Sequence, residues 1–525
     1  MVSIPCANIR YSSKSIWERP VCMKTMLLLL SLLFSFSAVS ARAEEALPSW
    51  KDFPTGTLPA RVAVHDPSII AADGKYYIFG THMTAAVSED LRTWKMVCSG
   101  YNPYGKVWGD IFSEDSHVFD YAGSGKSVIP TDDGGYHVWA PDVIYNLVMG
   151  KYMMYYCTSS TWNASNLCFA LSDTIEGPYV WQGALIYSGF NTTTIQATDV
   201  AKYADEEWIR RHYLNGDGSY NFNSFPNALD PAVFFDAENR LWMVYGSWSG
   251  GIFILELDPA TGLVIHPEAD PDRDVDPYFG RKLMGGRHQS IEGPYILPDP
   301  QSGWYYLFVS YGGLNAHGGY QIRVFRSRTP DGDYEDMNGQ RPGTIAHYKY
   351  GLKLSGNYIL PSVRTALMAT GHNSAMIDAD GKRYVCSHTR FNNHSENHVP
   401  LVKQYGINEE GWPCLLPYTT RGETIPGTFD PADVPGAYYV INQGTFINDK
   451  IAEPFVLSLQ EDGSVSGAAS GSWTLTDSSV YLHLNLGGTE YSGILCRMQD
   501  EAGADVTVFS AVGQNESVWG VRYQR

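Results

Sequence analysis

The sequence predicts an all-β protein, a five-bladed β-propeller followed by a small antiparallel β-barrel or sandwich. Three observations carry this. A polar signature, an alternating apolar strand, a turn rich in Asp, Gly and Asn and a second aromatic strand recur five times between His65 and Phe391. Helical periodicity is scarce, with Glu206 to Leu214 the one modest amphipathic candidate. Near Pro417 the repeat stops, and short alternating strands with tight turns take over.

Residues 1–43 read as a leader. Met23-Lys24 precedes an apolar run from Met26 to Val39, and small residues lead to Ala41-Arg42-Ala43. A basic start, an apolar stretch and an A-x-A site describe a secretory signal peptide cut after Ala43, with Met23 as the start of translation. The run is too short to span a bilayer of ~30 Å, so no transmembrane segment is expected. No Cys follows it, which gives no support to a lipid anchor. The mature chain is expected to be exported, secreted or periplasmic, and is read as a monomer.

Residues 44–417 hold the repeats. Their openings are His65-Asp66-Pro67, Ala140-Pro141-Asp142, Leu229-Asp230-Pro231, Glu292-Gly293-Pro294 and Gly371-His372-Asn373-Ser374. Further strands such as those in 168–182, 250–258 and 320–328 bring each unit to about four, as a propeller blade needs. The Gly/Pro/Asp-rich stretches at 263–287 and 331–369 are expected to be loops on the binding face. A linker is expected at 418–436, and seven strands in 437–525.

Composition narrows the partners. The 525 residues are 44% apolar and 18% charged, as in an ordinary globular protein. A formal charge of −19, from 56 acidic against 37 basic side chains with no dense Lys/Arg run, argues against nucleic acid. Aromatic abundance suits stacking on sugar faces, although buried strand aromatics account for most of it. Six Cys follow the leader without CxxC spacing, so a zinc site is not expected. Cys157 and Cys168 flank one hairpin-sized interval and are the first pair to test for a bond. No P-loop, GxSxG or HExxH is present.

If the blades are radial, their openings meet at the axis, and carboxylates far apart in sequence share one pocket. That arrangement suits glycoside hydrolysis. Asp66 fits a general base that deprotonates water, and equally an Asp that caps a turn before Pro. Glu292, read at the corresponding place in the fourth unit, fits a general acid whose pKa burial and a like charge raise. Asp230 fits that like charge. His372 is either a ligand for a hard cation or a hydrogen-bond donor. Trp139, Asp142, Ser247, Trp248 and Ser249 either line the pocket or, for the two Trp, pack the blades. The tract holding His388, His394 and His398 reads as a solvated loop.

With HDPS, VWAPD, NALDP, GSWSGG, IEGPY and GHNS in this order, residues 60–415 resemble glycoside hydrolase family 43, and within it the endo-α-1,5-L-arabinanases. The resemblance implies an inverting propeller enzyme acting on arabinan side chains of pectin. It assigns Asp66 as base, Glu292 as acid and Asp230 as the residue that tunes and positions the acid. It also implies Ca²⁺ near His372, held largely by water, and substrate contacts from Asn227, Ala228, Leu229 and Asp230 and from Ser247 to Ser249. The C-terminal β-domain resembles the extra barrel of larger arabinanases. Two alternatives stand beside it: an exo-acting arabinofuranosidase or β-xylosidase of the same fold, and a glycan-binding propeller without chemistry.

Overall fold

A computed structural model describes residues 47–101, 105–113, 115–343 and 346–523. The leader read at 1–43 lies outside the described residues. Each repeat folds as its own antiparallel sheet: 68–99, 138–188, 232–284, 291–355 and 367–415. Blades 1, 2, 4 and 5 have four strands in sequence order, as alternating apolar runs joined by Gly-containing turns require. The one α-helix among the described residues, Glu206–His212, is capped by Asp205, which accepts from Trp208 N–H at 2.8 Å.

Both stretches expected to be loops supply strands. In blade 3, Gly280–Met284 pairs with Ile252–Leu257, and Val275–Asp276 lies outside it. In blade 4, Leu352–Ser355 forms the outer strand. Their Gly/Pro/Asp content belongs to the flanking turns, while the paired residues, short and buried on one face, carry too little periodicity to stand out.

The openings of the innermost strands share one backbone feature. Asp66, Ala140, Asp230, Gly293 and His372 all lie in the left-handed region, with φ of 53°, 42°, 55°, 56° and 44°. Proline follows in four of the five. Each of these residues and the next two line a narrow axial cavity of about 20 Å³, so the repeats are radial. This corrects one expectation. Glu292 is not equivalent to Asp66 and Asp230; Gly293 is, and the glutamate comes one residue earlier. A Cβ at Gly293 would lie 3.0 Å from the His372 ring, tighter than ordinary contact, and the carboxylate reaches in from the preceding position.

The C-terminal unit is a closed barrel of eight strands rather than seven, running from Gly436–Asn442 to Glu516–Tyr523. The extra strand arises because Phe455–Leu459 and Ser464–Gly467 form a hairpin around Gly463 (φ 82°), where the sequence reads as one run. The barrel and blades 4 and 5 share one apolar core, in which Phe308, Leu354 and Leu401 join Tyr438, Ile494 and Trp519. The stretch expected to be a linker is packed into this seam, with Tyr418, Thr419 and Thr420 buried.

No disulfide joins Cys157 and Cys168, and both are buried free thiols. Cys157 pairs across the sheet with Leu167, and Cys168 with Tyr156. That one-residue offset sends their side chains to opposite faces of blade 2, into separate cores.

Candidate active site

At the axis, Asp66 is held from several elements. Its Oδ1 accepts from His65 Nδ1 at 2.8 Å and faces His372 Nδ1 at 3.0 Å. Its Oδ2 accepts from the Thr81 hydroxyl, which in turn accepts from the Ala140 N–H at 3.0 Å. A guanidinium only donates, so His65 Nε2 accepts from Arg390 at 3.1 Å, leaving Nδ1–H for Asp66. Burial alone would raise this carboxyl. The His372 and His65 imidazoles and the hydrogen bond from His65 hold it well below the usual carboxylate range.

Glu292 is buried in blade 4 and accepts three hydrogen bonds. Trp248 Nε1 donates to Oε2 at 2.7 Å, Ser247 Oγ to Oε2 at 3.1 Å, and Tyr320 OH to Oε1 at 2.8 Å. Trp248 and Ser249 take left-handed backbone angles (φ 50° and 30°), the local strain that turns the indole N–H toward this carboxyl. Burial and the neighbouring Asp230 push Glu292 up to about 7, against the opposing effects of His372 and Tyr320. Asp230 is likewise pushed up to about 7 by burial and by Asp66, while the Gly293 N–H at 3.2 Å favours its charged form. Asp66 is therefore kept ionised while the Glu292–Asp230 pair retains a proton into the neutral range, the division of labour that acid–base chemistry needs.

The other expected site residues divide. Asn227 donates to the Ser247 carbonyl at 2.9 Å, and its buried Oδ1 has no protein partner. Trp139 stacks on His137 with ring centroids 5.6 Å apart and stays half-buried. Ser249 is buried against Asn163, 3.4 Å away. Ala228 and Leu229 are buried core residues, so their side chains do not face a ligand. Asp142 does not bind hydroxyls in the pocket either. It accepts from Ser68 Oγ of blade 1 and from Val233 N–H of blade 3 at 2.7 Å, pinning three blades together below the site.

Three residues at this site went unread in the sequence. His388, expected in a solvated loop, is buried on the second strand of blade 5 and stacks on His65 at 4.0 Å. It accepts from the Asp66 N–H at 3.3 Å, and burial followed by His65 pushes its pKa well down, so it is neutral. Thr81 and Tyr320 carry no motif, and their roles come entirely from partners distant in the chain.

Whether Ca²⁺ suits the site can be tested on its donors. His65, Asp66 and His388 bring ligand atoms within 4.8 Å of one another. This set is nitrogen-rich and lies against the Arg390 guanidinium, so it is unsuited to a hard cation. Beside it, His372 has Nδ1 engaged with Asp66 and Nε2 left over, and the next residue offers Asn373 Oδ1, buried without a protein partner. An imidazole and one amide oxygen are compatible with Ca²⁺ only where water supplies most of the shell.

A concavity of about 1060 Å³ opens at the far ends of the innermost strands. Its carboxylates are all paired, Asp236 and Glu238 with Arg240 and Asp299 with Arg383, which leaves the axial cluster as the reactive one.

Comparisons with known proteins agree with this geometry. Residues 200–413 match the model of glycosyl hydrolases family 43, and residues 417–520 match its C-terminal lipocalin-like domain. An extracellular endo-α-(1→5)-L-arabinanase of Thermotoga petrophila is 38% identical, covering 88% of this chain and 94% of its own. Extracellular endo-α-(1→5)-L-arabinanase 2 of Bacillus subtilis is 35% identical, covering 87% and 92%. The crystal structure of the Thermotoga petrophila enzyme superposes with a TM-score of 0.76 at 37% identity, over 90% of this chain and 100% of the other.

Proposed function

The chain belongs to glycosyl hydrolases family 43, and from that premise we propose that it hydrolyses α-1,5-linked L-arabinan by an inverting, endo-acting mechanism. The observation that carries the proposal is the opposite tuning of Asp66 and Glu292 around one axis. Asp66, ionised and oriented by His65, His372 and Thr81, takes a proton from water as it attacks the anomeric carbon. Glu292, protonated and aimed by Trp248, Ser247 and Tyr320, gives its proton to the departing sugar oxygen. Asp230 keeps Glu292 protonated, and the Asn227 side chain binds a sugar hydroxyl. Inversion needs room for water between base and sugar, a carboxyl separation of ~6.5 to 9.5 Å.

Endo action and work outside the cell are supported by the printed names of the Thermotoga petrophila and Bacillus subtilis relatives. No helix among the described residues is long and apolar enough to cross a membrane. Ca²⁺, held by His372 and Asn373 with water, would supply positive charge beside the carboxyl cluster. The test is proton NMR of the first product from linear arabinan together with chromatographic sizing. A β-anomer and mixed oligosaccharides are expected. An α-anomer refutes inversion, and arabinose alone refutes endo action.

A further inference from the structure

The barrel reaches the substrate face through the loop between its first two strands, 443–454. Phe446 in this loop is 70% exposed, yet its backbone is fixed. Its carbonyl accepts from Gln321 Nε2 at 3.1 Å and from Lys353 Nζ at 3.1 Å, and the Thr445 carbonyl accepts from the Arg323 guanidinium. All three donors are buried propeller side chains. Burying two cations against backbone carbonyls is a costly way to hold a loop. A ring held out from a backbone fixed in this way is pre-organised for contact with a ligand.

Its position says which. Across blade 4, Ile291 pairs with Tyr311 and Tyr311 with Gln321, so the residue next to Glu292 and the residue holding Phe446 lie in one row. They are two strand spacings apart, about 10 Å. The same barrel loop packs its Asn448 backbone against Gly319, where a Cβ would meet Asn448 N and O at 2.9 Å, and Gly319 immediately precedes Tyr320. Phe446 therefore stands on the rim of the axial site, a few sugar units from the reacting bond.

We propose that Phe446 is a stacking platform for a distal sugar of the polysaccharide, which makes the barrel part of the substrate-binding surface. An aromatic face suits the C–H face of a sugar and demands little side-chain ordering. The proposal rests on the arabinan reading above. It is tested by calorimetric titration of linear arabinan and of arabinotriose into the E292Q protein, with and without F446A, alongside melting temperatures. The expected result is a loss of arabinan affinity of roughly five- to tenfold, a much smaller change for arabinotriose, an unchanged melting temperature, and recovery with F446W. Equal arabinan affinity with and without Phe446, or equal losses for both ligands, overturns the platform. If folded E292Q protein binds no arabinan at all, the arabinan reading itself falls and takes the platform with it.

Discussion

Replacing Asp66 with Asn removes a base while leaving its surroundings nearly intact. Asn tolerates the left-handed backbone at this position (φ 53°). Its Oδ1 still accepts from His65 and His372, and its amide faces Thr81 Oγ1, which has a lone pair beyond the one used by the Ala140 N–H. The melting temperature is expected to change little. A positioned general base is worth about 10²- to 10⁴-fold, or about 2.7 to 5.4 kcal/mol of barrier, so kcat on linear arabinan should fall within that range. The lost charge also matters, because Asp66 helps to raise both Asp230 and Glu292. The basic limb of the residual activity should therefore move to lower pH. Azide, which needs no deprotonation, should restore turnover and give a β-configured arabinosyl azide. A variant that keeps more than about a tenth of kcat, or an azide product of α configuration, refutes the assignment.

In Tyr320→Phe, Glu292 loses the donor that favours its charged form. The basic limb should shift to higher pH, with kcat falling roughly tenfold for a hydrogen bond to a charged group; an unmoved limb in the pH–rate profile contradicts this. Burial pushes Asp142 up to about 6, so it favours the folded state when protonated. Wild-type stability from this group is full below about pH 4 and is lost as pH rises through about 6. Asp142→Asn should remove that part of the decline in denaturant titrations, and an unchanged pH profile would contradict the shift. Chelation should lower activity reversibly, with added Ca²⁺ restoring it; full activity after exhaustive chelation would exclude a metal at His372.

Much of the fold was legible because a propeller repeats one strand pattern, and Asp66 and Asp230 stood out by sharing its hub position. Glu292 was legible as a carboxylate but not in register, because only the close packing of Gly293 against the His372 ring marks the glycine as the hub residue there. His388 was misread because its neighbours Asn392, Asn393 and His394 look solvated, whereas strand alternation buries it against blade 1. Asp142 sits in the same kind of motif as the reactive carboxyls, and only its partners Ser68 and Val233 mark it as a pin between blades. The extra barrel strand, Ser464–Gly467, is four residues long, too short for its alternation to stand out from the preceding run.

Every blade is made from one continuous stretch, and among the described residues no strand is shared between the first and the fifth. Neighbouring blades elsewhere are tethered by the chain between them, which keeps them close even when contacts loosen. The last joint is held without a chain connection, by an apolar cluster in which Ile69 and Ile78 meet Met376 and Cys386, by links such as Ile69 N–H to Ser374 Oγ at 2.9 Å and Tyr76 OH to Asp378 at 2.5 Å, by a backbone bridge from Gly56 to Ser362, and by an outer strap where Arg92 grips Thr419 and Thr420 beside the barrel. Asp66 stands on one side of that joint, and His372 and His388 stand on the other. Heating should accordingly silence the enzyme by parting the ring at this gap while the blades themselves still hold their sheets.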